Sequence, residues 1–140
     1  MTDPEFKLFT VDEAEHALQQ AEPLVRHLQA LARDLANTQQ HLEDGLVKLS
    51  HGNGHALEHI RREVETLDAR QRELAEAFED SLTRLQSLGC LLKDLEMGLL
   101  DFYSVRDAQI VFLCWRLGED RIRCWHEVET GFAGRQPLAA

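Results

Sequence analysis

Apolar residues recur every seven positions through the first half of the chain. Ala14, Ala21, Leu28, Leu35, Leu42 and Leu49 share one register, and Ala17, Leu24, Leu31, Thr38 and Gly45 follow three positions later. With charged and amide side chains between them, these positions form a stripe that predicts one long amphipathic helix. Thr10-Val11-Asp12-Glu13 has capping-box spacing: the Thr10 hydroxyl can accept a first-turn amide while Glu13 reaches back to the Thr10 amide, so the helix is expected to begin near Val11. Pro23 lies inside it and lacks a backbone donor, which predicts a kink near Ala21 and Glu22. His51-Gly52-Asn53-Gly54 interrupts the stripe and predicts a hairpin tip. A second stripe then places Leu57, Val64, Gln71, Phe78 and Leu85 in one register and Ile60, Leu67, Leu74, Ser81 and Leu88 in the other, up to Gly89. Two helices of similar length joined by a short turn run antiparallel, each offering an apolar seam.

Beyond Gly89 the period shortens. Cys90–Leu92, Leu99–Tyr103 and Gln109–Trp115 have strand character, and Leu117-Gly118-Glu119-Asp120 is expected to turn the chain into Arg121–His126. A tight turn there pairs Trp115 with Ile122, Leu113 with Cys124 and Val111 with His126. The expected fold class is mainly α with a small β part: an antiparallel helical hairpin over about 11–88, capped by a small antiparallel sheet within about 89–138. A single domain over 1–140 is expected from the chain's length.

The formal charge of −10 argues against non-specific binding to phosphate backbones, which needs clustered Lys and Arg, so nucleic acid is not an expected partner. Met1-Thr2-Asp3-Pro4-Glu5 has neither the basic nor the apolar region of a secretory signal, and no apolar run approaches the roughly 20 residues that cross a bilayer. A cytoplasmic protein is expected. Three cysteines, Cys90, Cys114 and Cys124, without a C-x-x-C pair, suit neither a disulfide framework nor a zinc ribbon and are read as reduced thiols. A two-helix hairpin buries little by itself, so its seam is expected to be covered by the C-terminal segment or by a second copy, and a homodimer is expected.

The run from Lys93-Asp94-Leu95-Glu96-Met97-Gly98 to Leu99-Leu100-Asp101-Phe102, then Leu113-Cys114-Trp115-Arg116-Leu117-Gly118-Glu119, and the stretch from Trp125-His126-Glu127 to Gly131-Phe132-Ala133-Gly134-Arg135 resemble the bacterial family known as domain of unknown function 2203. Phe9-Thr10-Val11-Asp12-Glu13-Ala14 is similar to that family's opening. The resemblance implies a prokaryotic protein and transfers no catalytic residue.

Candidate chemistry concentrates in the same segment. His126 and Glu127, with carboxylates from Asp94, Asp101 and Glu119, could hold a divalent metal ion, because imidazole and carboxylate converging from several segments make such a site. In an extended strand His126 and Glu127 point to opposite faces, so both reach one ion only if the backbone bends. The plainer reading has His126 hydrogen-bonded within the sheet while the acids neutralise Arg106, Arg116, Arg121, Arg123 and Arg135. Glu13 could join the site, although capping already explains it. Gly131-Phe132-Ala133-Gly134-Arg135 could clamp a small organic anion through Arg135; alternatively, Phe132 plugs the core and Arg135 pairs with an acid. His55-Ala56-Leu57-Glu58-His59 matches the H-x-x-E-H zinc string, yet it opens a helix at an exposed tip. Cys114 and Cys124 are expected to point oppositely, which disfavours a disulfide.

These readings lead us to expect a small divalent-metal-binding protein or small metalloenzyme, with its site in the C-terminal segment. The alternative is a non-catalytic coiled-coil interaction module acting as a homodimer, presenting Trp115, Trp125 and Phe132 to a partner. A redox sensor is a third class.

Overall fold

The computed structural model describes residues 7–139, apart from Asn53 and His55. Helix α1 spans Val11–His51 and α2 spans Ala56–Ser87, followed by β1 (Leu91–Asp94), β2 (Leu99–Arg106), β3 (Gln109–Arg116), β4 (Cys124–Glu127), a 3-10 turn at Phe132–Gly134 and β5 (Gln136–Pro137). Two long antiparallel helices precede a five-stranded antiparallel sheet of order β1-β2-β3-β4-β5, the expected fold class. The capping box forms in full: the Thr10 amide donates to Glu13 Oε1 over 2.9 Å, and the Glu13 amide donates to Thr10 Oγ1 over 3.1 Å. The helix continues unbroken through Pro23.

The chain divides into two compact units, Met1–His27 with Leu82–Ala140, and Leu28–Ser81. In the second unit the helices lie side by side. Gly45 is there because of close approach: a Cβ on it would meet the Val64 side chain at 2.8 Å. Gln71 Nε2 donates to Gln39 Oε1 across the seam at 3.1 Å.

In the first unit the sheet's register decides which side chains are buried together. Strand β2 pairs with β3 from Leu99↔Arg116 to Arg106↔Gln109, and β3 pairs with β4 through Val111↔Glu127, Phe112↔His126, Leu113↔Trp125 and Cys114↔Cys124. Opposed residues share a face and neighbours alternate. One face therefore carries Leu100, Phe102, Leu113 and Trp115, all buried, together with Phe9, whose ring stands edge-on to Phe102 at 5.2 Å. The same core includes Ala14, Ala17, Ala21, Val25 and Leu85. The other face carries Asp101, Cys114, Phe112, Cys124 and His126. Strand β1 covers only the first part of β2; further along, the Phe9 amide donates to the Tyr103 carbonyl at 2.7 Å and Ser104 Oγ donates to the Phe9 carbonyl at 2.6 Å.

The β3–β4 register differs by one residue from the sequence expectation, because the connection is a wider loop than the four-residue turn. The Trp115 indole donates to the Glu119 carbonyl at 3.1 Å and the Arg116 amide to the Glu119 carboxylate at 2.7 Å. The Ile122 amide donates to Glu15 Oε1 at 2.6 Å, which holds Ile122 in the core and delays β4 to Cys124. His126 thus opposes Phe112 and not Val111, and Cys124 opposes Cys114 and not Leu113. Gly98 fixes the other end of this region: its φ is +70°, and a Cβ would lie 2.5 Å from that of Leu117.

The β2–β3 turn has left-handed backbone at both central residues, Asp107 (φ 52°) and Ala108 (φ 64°), as a two-residue hairpin of this type requires. Alanine pays a steric cost in that conformation. Ala108→Gly should raise stability by about 0.5–1 kcal/mol, the glycine's unfolded-state entropy offsetting part of the relief; a denaturation midpoint unchanged or lowered would contradict this.

Candidate metal centre

His126, Asp101 and Cys114 meet on one face of the sheet. They are 2%, 3% and 1% exposed, and their ligand atoms all lie within 4.8 Å of one another. Asp101 and Cys114 are direct cross-strand partners, and His126 reaches them from β4. Its Nε2 lies 3.1 Å from both Asp101 carboxylate oxygens, and its Nδ1 lies 2.7 Å from the Glu127 carbonyl.

That geometry constrains the protons. A carbonyl oxygen can only accept, so Nδ1 carries hydrogen and donates to Glu127. In a neutral ring Nε2 is then a bare lone pair, facing a carboxylate that also offers only lone pairs when ionised. Positive charge must lie between them, as a proton or as a metal ion. The 3.1 Å separation is close to the roughly 3.3 Å between two ligands each about 2.0 Å from one tetrahedral ion.

Cys114 is a poor nucleophile as the chain stands. Burial, then the negative charge of Asp101, pushes its thiol up to about 12, with a hydrogen bond to that carboxylate also contributing. Since His126 Nδ1 is committed to a main-chain carbonyl, the ring cannot take the thiol proton there. The thiol's hydrogen bond goes to Asp101.

The remaining sequence candidates lie elsewhere. Glu127 is exposed on the opposite face and contributes only its carbonyl. Asp94 accepts the Met97 amide at 2.9 Å and closes the β1–β2 turn. Glu119 accepts from Arg135 at 2.6 Å. Arg135 also donates to the Cys114 carbonyl at 3.3 Å and stacks 4.7 Å over Phe132, so the carboxylate it holds is one of the protein's own. Its Nε is buried without a hydrogen-bond partner. Burial works against the charge on Arg135, but the hydrogen bond to Glu119 and that carboxylate's charge outweigh it. Glu13 stays in the capping box, and the Thr10 bonds hold its carboxyl below the usual range. Trp115 is fully buried and cannot be presented to a partner by this chain; Trp125 and Phe132 are half-buried, with Arg106 lying 4.9 Å over the Trp125 ring. At the helical tip, His55 lies outside the described residues, while Glu58 pairs with Arg61 and His59 with Glu63, all exposed. Cys114 is the member that sequence reasoning left out of the site, and only the register that makes it Asp101's neighbour could have found it.

A family model described as "uncharacterized conserved protein (DUF2203)" matches residues 7–138. The chain belongs to the DUF2203 family. No curated protein and no solved structure matches it. In this DUF2203 protein, no described helix is long and apolar enough to cross a membrane.

The DUF2203 chain has three free cysteines, of which Cys90 and Cys114 are buried and Cys124 is partly exposed. Burial also pushes Cys90 up, to about 11, so both inner thiols keep their protons well above the ordinary range near 8.5. At pH 8 a thiol label should modify Cys124 in the native metal-free protein and reach the other two only after denaturation. The unfolded chain releases these protons at lower pH than the fold does, so stability should fall as pH rises from about 9 toward 11 and 12. Rapid native labelling of Cys114 would refute the assignment.

Proposed function

We propose that this protein binds a divalent metal ion through Asp101, Cys114 and His126. The observation that carries this reading is the buried histidine whose two ring nitrogens both face oxygen acceptors. A cation at Nε2 removes the conflict between lone pairs, and the Nδ1–H to carbonyl bond orients the ring as outer partners of metal-bound histidines do. A thiol and an imidazole with one carboxylate favour zinc or a similar borderline ion over magnesium or calcium, which prefer oxygen alone. Binding would expel the Cys114 proton despite its high affinity in the metal-free state, making uptake pH-dependent. With the ligands this deeply buried, the ion is read as stabilising the sheet; the geometry supports no particular reaction. Untagged protein titrated with zinc should take up about one equivalent, and His126→Ala or Asp101→Ala should abolish uptake while retaining helical circular dichroism. Wild-type protein that takes up no zinc after chelator treatment and reloading would overturn the proposal.

A second reading, self-association to a homodimer, is favoured by one feature of the second unit. Leu46 and Val47 are 50% and 57% exposed on α1, beside seam leucines that are only half-buried. A second copy covering this surface would bury them. Sedimentation of wild type should give a dimer and that of Leu46→Glu/Val47→Glu a monomer; monomeric wild type at micromolar concentration would remove this reading.

A further inference from the structure

Asp101, Cys114 and His126 leave one corner of a tetrahedral ion open, although all three lie beneath the surface. A three-ligand site normally keeps its remaining position for water or substrate, whereas a closed site has a fourth protein ligand. The register supplies a candidate. Asp101, Cys114 and Cys124 form a continuous cross-strand row over β2, β3 and β4, and His126 stands two residues beyond Cys124 on the same face. Directly opposed residues have Cβ atoms about 4.5–5.5 Å apart, and two thiolates on one zinc ion sit roughly 3.8 Å apart. Cys124 is a free, partly exposed thiol, and Arg135 donates to the carbonyl of its cross-strand partner Cys114.

We propose that Cys124 is the fourth ligand, closing an Asp–His–Cys–Cys zinc site that ties β2, β3 and β4 together. This rests on the metal-binding reading above. Zinc binding releases both thiol protons to solvent. The two thiolates and the Asp101 carboxylate then outweigh the ion's charge by one, and Arg135, shared with Glu119, lies next to Cys114. Cys124 lies outside the 4.8 Å group, so its side chain must turn toward the ion as binding occurs.

Cobalt(II) reports the ligand set directly, because each thiolate adds sulfur-to-metal charge-transfer absorption. Loaded wild type should show the intensity of two thiolates with tetrahedral visible bands. Cys124→Ser should show about half that intensity and bind zinc more than about 100-fold more weakly, beyond the loss seen when outer partners of ligands are removed. In wild type, zinc should protect Cys124 from alkylation, located by mass spectrometry, and a chelator should expose it again. Undiminished absorption and affinity in Cys124→Ser, or alkylation of Cys124 in the zinc-loaded protein, would overturn the fourth-ligand assignment while leaving three-residue binding intact. Failure of wild type to bind either cobalt or zinc would overturn both proposals.

Discussion

The pairing register of β2, β3 and β4 is the constraint on which the rest of the site depends. Side chains alternate with a period of two, so a slip of one residue on β4 would send Cys124 and His126 to the face occupied by Phe102, Leu113 and Trp115. The observed register puts Phe102, Leu113 and Trp115 on one side and Asp101, Cys114 and His126, beside Phe112, on the other. Burial of the apolar face makes that choice strongly favourable, since each large side chain kept from water contributes about 1.5–3 kcal/mol.

The same register creates a polar problem. An imidazole and a carboxylate this deeply buried are costly unless their charges and hydrogen bonds are matched. The Glu127 carbonyl satisfies one ring nitrogen, and the other confronts Asp101. Around them, Arg135 is held by Glu119, and Glu119 also anchors the Arg116 amide. A single loop acid thus links the wide β3–β4 connection to the segment that follows β4. The raised thiol of Cys114 sets this site apart from catalytic cysteines, which lie in environments that lower the thiol's proton affinity.

The helices were legible because their signals are local. Seven-residue spacing selects one face, and Thr10 with Glu13 satisfies exposed amides within a single turn. Strand positions were legible for the same reason, from β-branched and aromatic runs between turn residues. The β3–β4 pairing was not: its loop is set by Glu15, from α1, holding Ile122, and by Glu119 reaching back to Trp115 and Arg116. No turn motif encodes the first of these contacts. Of the five metal candidates, Asp101 and His126 converge, whereas Asp94, Glu119 and Glu127 serve the turn, the Arg135 pair and the outer face.

The amino-acid sequence by itself determined the helical hairpin, the existence and approximate extent of the main strands, and family membership through its C-terminal motifs, because each depends on residues near one another in the chain. Only the tertiary structure decided that Cys114 joins Asp101 and His126, that Cys124 stands opposite Cys114, and that Arg135 holds Glu119. Those outcomes depend on register, and register is chosen by contacts between segments distant in the chain.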